Sequence, residues 1–206
     1  MKLYVSKYAP NPRRVSIFAA EKGIALETVV VDLFNGEIKT PGFLAKNPFG
    51  RVPVLELDDG RTLSETRAIC TYLEGLRPQP NLMGEGFEER AFIEMADRQV
   101  EHYLFQQIAN CVRHTHPALA PLEQPQFPEF GKTQGEKMLD TVRWLDELLA
   151  RQAWVAGERY TIADITAFCG LEFARGMLKF NAGEAGFSPV QAWRDRIAAR
   201  PTVGKP

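Results

Sequence analysis

Cysteine is scarce in this 206-residue chain: three residues, Cys70, Cys111 and Cys169, lie far apart among apolar neighbours. Their odd number and wide spacing give no disulfide framework, and without a Cys-x-x-Cys pair dithiol redox chemistry is excluded. They read as reduced, buried thiols, which points to a cytoplasmic protein. No His/Cys/carboxylate grouping has metal-ligand spacing, so no metal is expected. Long hydrophobic runs are also missing, and no stretch approaches the ~20 apolar residues that cross a bilayer. The opening segment turns polar at Ser6 and Lys7, too early for the apolar core of a secretory leader. Charge of one sign is not in excess: 25 Lys and Arg against 26 Asp and Glu leave a net charge of −1. That balance carries no electrostatic footprint for nucleic acid or an acidic membrane. An anionic ligand would have to be held by local groups.

What is present is 45% hydrophobic residues, enough to fill a core. Lys2–Ser6 reads as a strand and Pro12–Lys22 as a helix, with Val15, Phe18 and Ala19 in one stripe and Gly23 as its stop. Valine-rich Glu27–Asp32 is a second strand, followed by a polar stretch and a short helical turn near Phe43–Lys46. Val54–Leu57 and Thr62–Leu63 form a hairpin about Asp58-Asp59-Gly60. Ser64 is then placed to cap a helix whose apolar face is Ile69, Tyr72, Leu73 and Leu76. The order β-α-β, connection, β-β-α predicts a small mixed sheet with helices packed on it.

Arg77-Pro78-Gln79-Pro80 breaks this pattern. Residues 1–77 are read as one domain, 78–86 as a linker and 87–206 as a second domain. In the latter a long helix spans Phe87 to about His116, with Asp97, Arg98 and Gln99 interrupting its apolar stripe. A loop punctuated by Pro117, Pro121, Pro125 and Pro128 precedes a helix marked by Met138, Val142, Leu145 and Leu149. An apolar helix from Ile162 to about Gly176 and a last one near Ser188–Ala199 complete an all-α second half.

Two segments carry chemistry. In Asn47-Pro48-Phe49-Gly50-Arg51-Val52-Pro53-Val54, Pro53 opens a strand, where a missing N–H costs the sheet little. A cis Val52–Pro53 bond would turn the Val52 N–H and C=O outward, ready to pair with an extended peptide ligand. The bland alternative is a plain turn before the hairpin. In Leu63-Ser64-Glu65-Thr66-Arg67, a helix start offers unpaired N–H groups and partial positive charge. Thr66 there suits a carboxylate and Glu65 an ammonium, together an α-amino-acid head group. Simple capping, with a dipole-favoured acid in the first turn, explains the same residues.

Taken jointly, Phe49-Gly50-Arg51-Val52-Pro53 and Leu63-Ser64-Glu65-Thr66 resemble the glutathione-binding signature of cytosolic glutathione S-transferases. Tyr160-Thr161-Ile162-Ala163-Asp164-Ile165 resembles that family's helical-domain motif, so the likeness spans nearly the whole chain. The resemblance implies an α/β thioredoxin-like N-terminal domain plus an all-α C-terminal domain carrying the pocket for a small hydrophobic electrophile. It implies glutathione as co-substrate, with Val52 and Pro53 at its cysteinyl backbone and Glu65 and Thr66 at its γ-glutamyl end. Lys39 or Arg51 would pair with its glycine carboxylate. It also implies a homodimer, with Asp97 or Glu101 of the partner near the γ-glutamyl amine. The Thr161–Asp164 pair has its own structural reading: a capping box, with Tyr160 and Ile165 as hydrophobic staple.

The thiol-activating group departs from the family's pattern. A thiol with pKa ~8.5 is only a few per cent thiolate at neutral pH, so an enzyme must stabilise the anion. Where the family usually carries Tyr, Ser or Cys, this chain has Ala9 and Pro10, neither with a side-chain donor. Asn11 is the best local substitute, and equally a candidate N-cap of the first helix; the turn resembles bacterial and fungal-type subgroups with a Pro-Asn pair. Ser6 and Tyr8 come next, Ser6 also as the plain end of its strand. His114 and His116, closing the long helix, are candidates to hold a water against the sulfur or simply to complement a helix C-terminus. Conjugation, glutathione-dependent disulfide or peroxide reduction, and non-catalytic ligand binding on the same fold all remain compatible with these residues.

Overall fold

The computed structural model describes residues 1–7 and 9–204. The chain divides into two compact units, Met1–Pro80 and Asn81–Pro206. In the first, strands β1 (Lys2–Val5), β2 (Glu27–Val30), β3 (Val54–Glu56) and β4 (Thr62–Ser64) form one sheet in the order β2-β1-β3-β4. β1 and β2 are parallel, while β1/β3 and β3/β4 are antiparallel. The crossover between the parallel strands is helix α1 (Pro10–Glu21). A short α2 (Pro41–Leu44) precedes β3, and α3 (Thr66–Leu76) follows β4.

Alternation along the strands sorts the core into two layers. Leu3 and Leu55, paired in register, are buried together with Val15 and Phe18 of α1 and Ile69 and Leu73 of α3. On the other face Val54 packs with Val31 and Phe43, flanked by Tyr4, Ile38 and Val52. The expected face of α3 is only partly right. Its buried residues are Thr66, Ile69, Cys70 and Leu73, whereas Leu76 is 51% exposed. The i, i+3, i+4, i+7 stripe is there, but it starts one turn earlier, at a threonine that hydrophobicity does not mark.

Lys22, just past the end of α1, is fully buried. Its ammonium group meets the Glu74 carboxylate and the carbonyls of Pro78 and Pro80, over the ring of Phe18.

The second unit is helical among its described residues. α4 (Phe87–Val100) runs through a π-helical segment, Glu101–Phe105, into α5 (Gln106–Thr115). α6 (Pro128–Leu149), α7 (Ile162–Met177) and α8 (Ser188–Ala198) follow. α7 is buried almost all round from Ile162 to Leu171 and forms the centre of this unit. α6 starts ten residues before Met138, and Pro128 opens it instead of ending a loop. Gly131 and Gly135 hid this turn, because glycine is a poor helix former. They are needed for close approach: a Cβ on Gly131 would lie 2.6 Å from Thr115 Cγ2, and one on Gly135 3.2 Å from Cys111 Sγ. No described helix is long and apolar enough to cross a membrane, and no described His, Cys, Asp or Glu group could hold a metal ion.

Candidate functional site

Strand register brings the loops that carry the first unit's predicted site residues to one end of the sheet. Tyr4 on β1 pairs with Val54 on β3, and Val54 with Ser64 on β4. The exit of β1, the entry to β3 and the exit of β4 therefore share an edge. Val5 pairs with Val30, so β2 leaves at the same edge and leads to the 3-10 turn ending in Lys39.

The loop entering β3 is built around Asn47, a 1% exposed side chain that sequence reasoning passed over. Its Oδ1 accepts from the Phe49 N–H (3.1 Å) and its Nδ2 donates to the Arg51 carbonyl (2.9 Å). Gly50 sits at φ 56, where a Cβ would stand 2.9 Å from the Ile38 carbonyl oxygen, so only glycine fits. An Asx turn of the form Asn-Pro-x-Gly was the available signal. The Val52–Pro53 bond is cis. Among the described residues no hydrogen bond engages the Val52 N–H or C=O. Arg51 and Lys39 are both exposed, and neither pairs with a described carboxylate.

At the exit of β4 the capping expectation is corrected. Ser64 is the last residue of the strand, and the N-cap of α3 is Glu65, with φ 67 and ψ 117. Glu65 and Lys179 are the non-glycine residues with positive φ among those described. A glutamate held there stores roughly 1–3 kcal/mol of backbone strain, the kind that collects at functional sites. The first i→i−4 bond of α3 joins the Ile69 N–H to the Glu65 carbonyl (3.0 Å). The Thr66 and Ala68 N–H groups accordingly have no intrahelical acceptor. Thr66 is 6% exposed and the Glu65 side chain is exposed, so a dipolar cradle and an acid lie side by side.

At the exit of β1, Ser6 is buried, and its carbonyl accepts from the Ala9 N–H (3.2 Å). Tyr8 lies outside the described residues. Ala9, not Asn11, is the N-cap of α1, because Pro10 already occupies the first helical position. Asn11 is half-buried inside the first turn, and its Oδ1 accepts from Arg14 Nη1 at 3.1 Å.

In the second unit, His114 and His116 are both engaged locally. His114 Nδ1 accepts from the Phe127 N–H (3.2 Å), which leaves the proton of the neutral ring on Nε2, and the ring packs against Phe127 and Phe130. His116 Nδ1 accepts from the Ala118 N–H at 3.2 Å and caps the next 3-10 turn.

Residues 8–76 match the model of the glutathione S-transferase N-terminal domain, and residues 105–201 that of the C-terminal domain. Glutathione S-transferase 2 of Saccharomyces cerevisiae is 37% identical over 208 aligned residues, covering 100% of this chain and 88% of the relative. The chain belongs to the glutathione S-transferase family. A solved glutathione S-transferase domain-containing protein from Marinobacter aquaeolei VT8 is 41% identical, with a TM-score of 0.93 over 98% of this chain and 100% of the other. Gtt2 from Saccharomyces cerevisiae gives 37% identity and the same TM-score over 99% of each chain.

In this glutathione S-transferase the Thr161–Asp164 motif forms the capping box that its residues suggest. Asp164 is fully buried and does more than cap. Oδ2 accepts from the Thr161 N–H (2.9 Å) and hydroxyl (3.2 Å), and Oδ1 from the Val155 N–H and the Trp193 indole, each at 2.9 Å. Burial pushes its pKa up to about 6 against the opposing pull of those donors. Trp193 could not be foreseen as a partner, since it lies 29 residues away. Asp97, considered for contact with a partner subunit, is also fully buried. It accepts from the Thr166 hydroxyl (2.5 Å) and Arg98 (2.8 Å), and thus joins α4 to α7 instead of facing outward.

Proposed function

We propose that this glutathione S-transferase binds glutathione at the sheet edge of its first unit and conjugates the thiolate to a small hydrophobic electrophile. One observation carries the reading: an unengaged Val52 backbone and the strained Glu65–Thr66 helix start share one edge of the sheet. The donor set fits the tripeptide's charges. Lys39 and Arg51 supply cations for the glycine carboxylate, the Thr66 N–H and hydroxyl take the γ-glutamyl carboxylate, and Glu65 takes the ammonium. Val52 and Pro53 form the short strand-like contact with the cysteinyl residue.

At the sulfur, Asn11 donates to the thiolate while the N-terminus of α1 adds partial positive charge. The thiol proton passes to solvent, an S–C bond forms, and the leaving group departs as an anion. Ser6 backs this turn from the strand end. Phe92 and Met95, both exposed on α4, support assembly as a homodimer. Three buried cysteines, none of them in a disulfide among the described residues, support a cytoplasmic setting.

A second reading is glutathione-dependent disulfide or peroxide reduction, favoured by Ala9 and Pro10, which put no side-chain donor at the position where the family usually carries one. Calorimetry with glutathione tests the site itself. Thr66→Val combined with Glu65→Gln should weaken binding by more than about tenfold, the loss of roughly one charge-assisted hydrogen bond. Unchanged affinity would remove the site assignment. Parallel assays with an aromatic halide and a small disulfide then separate conjugation from reduction.

A further inference from the structure

We infer that Arg14 is a positioning residue, fixing the Asn11 amide so that its N–H groups, not its oxygen, are presented to the glutathione sulfur. The inference rests on the proposed role of Asn11 at the thiolate. An amide beside a sulfur anion helps in one orientation only. Turned by 180°, the same side chain presents an oxygen to a thiolate and repels it. The orientation must therefore be enforced, and solvent cannot enforce it.

Arg14 supplies the constraint. A guanidinium is a donor at every nitrogen and has no acceptor, so the amide atom it meets at 3.1 Å must be Oδ1. Nδ2, with both its hydrogens, then faces away from Arg14, and no described acceptor engages it. The spacing from Asn11 to Arg14 puts the two side chains on one face of α1, within its first turn. Arg14 is only 2% exposed, so water does not compete for the contact and the guanidinium keeps one geometry. The buried cation just past the end of this helix, Lys22, lies eight residues on, roughly 12 Å along the axis, where it meets Glu74. Arg14 thus sits as a fixed cation behind the first turn, and its bond also polarises the amide so that the opposite N–H groups donate more strongly.

The test follows the thiolate absorbance of bound glutathione against pH in wild type, Asn11→Ala, Arg14→Met and the double variant, with affinity measured by calorimetry. Asn11→Ala should move the bound thiol's pKa up by about one pH unit, a tenfold loss of thiolate at neutral pH. Arg14→Met should produce a similar rise, the double variant no further rise, and glutathione affinity should stay nearly unchanged. Full additivity in the double variant would overturn the inference, because Arg14 would then act by its own charge. A shift in Asn11→Ala with none in Arg14→Met would overturn it alone. No shift in Asn11→Ala would remove the proposed role of Asn11 and this inference with it.

Should Arg14→Met fail to fold, Asn11→Asp decides the matter. The carboxylate keeps an acceptor for Arg14 and aims a second oxygen at the sulfur, so the thiol pKa should rise further than in Asn11→Ala. A smaller rise would mean that residue 11 is not held against the sulfur, and the inference would fall.

Discussion

Replacing Asp164 by Asn should destabilise the protein by an amount that shrinks as the pH rises. Asp164 is a buried carboxyl whose pKa stands at about 6 in the fold against 3.8 when exposed. The folded state therefore binds the proton more tightly, and its stabilising contribution is complete below about pH 4. It is lost as the pH climbs through 6, where the carboxyl must ionise without water. The window is about two pH units, at about 1.4 kcal/mol each, so wild type loses about 3 kcal/mol from this group. Asparagine does not titrate. Every other carboxylate is common to both proteins and cancels in the difference. Urea unfolding at pH 3 and pH 7 should thus show a deficit for Asp164→Asn about 3 kcal/mol smaller at the higher pH. A deficit that grows with pH would refute the reasoning. It would mean that the donors from Thr161, Val155 and Trp193 outweigh burial and hold the carboxylate ionised.

Two further outcomes follow from backbone geometry. Glu65→Gly should relieve the positive-φ strain and leave unfolding stability equal or up by about 1 kcal/mol, while calorimetry shows weakened glutathione binding because the ammonium partner is gone. Gly131→Ala should lower stability by about 1–3 kcal/mol, since the new methyl meets Thr115 at 2.6 Å. Gly176→Ala, with nothing within 4 Å, is its control and should stabilise α7 by up to about 1 kcal/mol.

Much of the first unit was legible because its signals are local. The valine-rich second strand, the Asp-Asp-Gly turn and the first helix, read two residues late from Pro12, each declare themselves within a few residues. The two segments proposed to bind glutathione stood out for the same reason. What could not be read is long-range or costly. Nothing in the sequence says that Glu65 takes a left-handed backbone, because strain is a property of the site and not of glutamate. Asp97 looked like a break in an apolar stripe, and the Thr166 hydroxyl, 69 residues away, helps to explain its burial. The first ten residues of α6 were hidden by glycines chosen for packing and not for propensity. Nothing local marks Arg14 as buried, because its burial depends on elements that fold over it.

The ammonium of Lys22 has a practical consequence for anyone wishing to dissect this protein. It draws on carbonyls at Pro78 and Pro80. A fragment cut before those residues would keep a cation in an apolar interior with part of its solvation amputated, a defect worth several kcal/mol. Any attempt to isolate the first half should therefore carry the chain through Pro80.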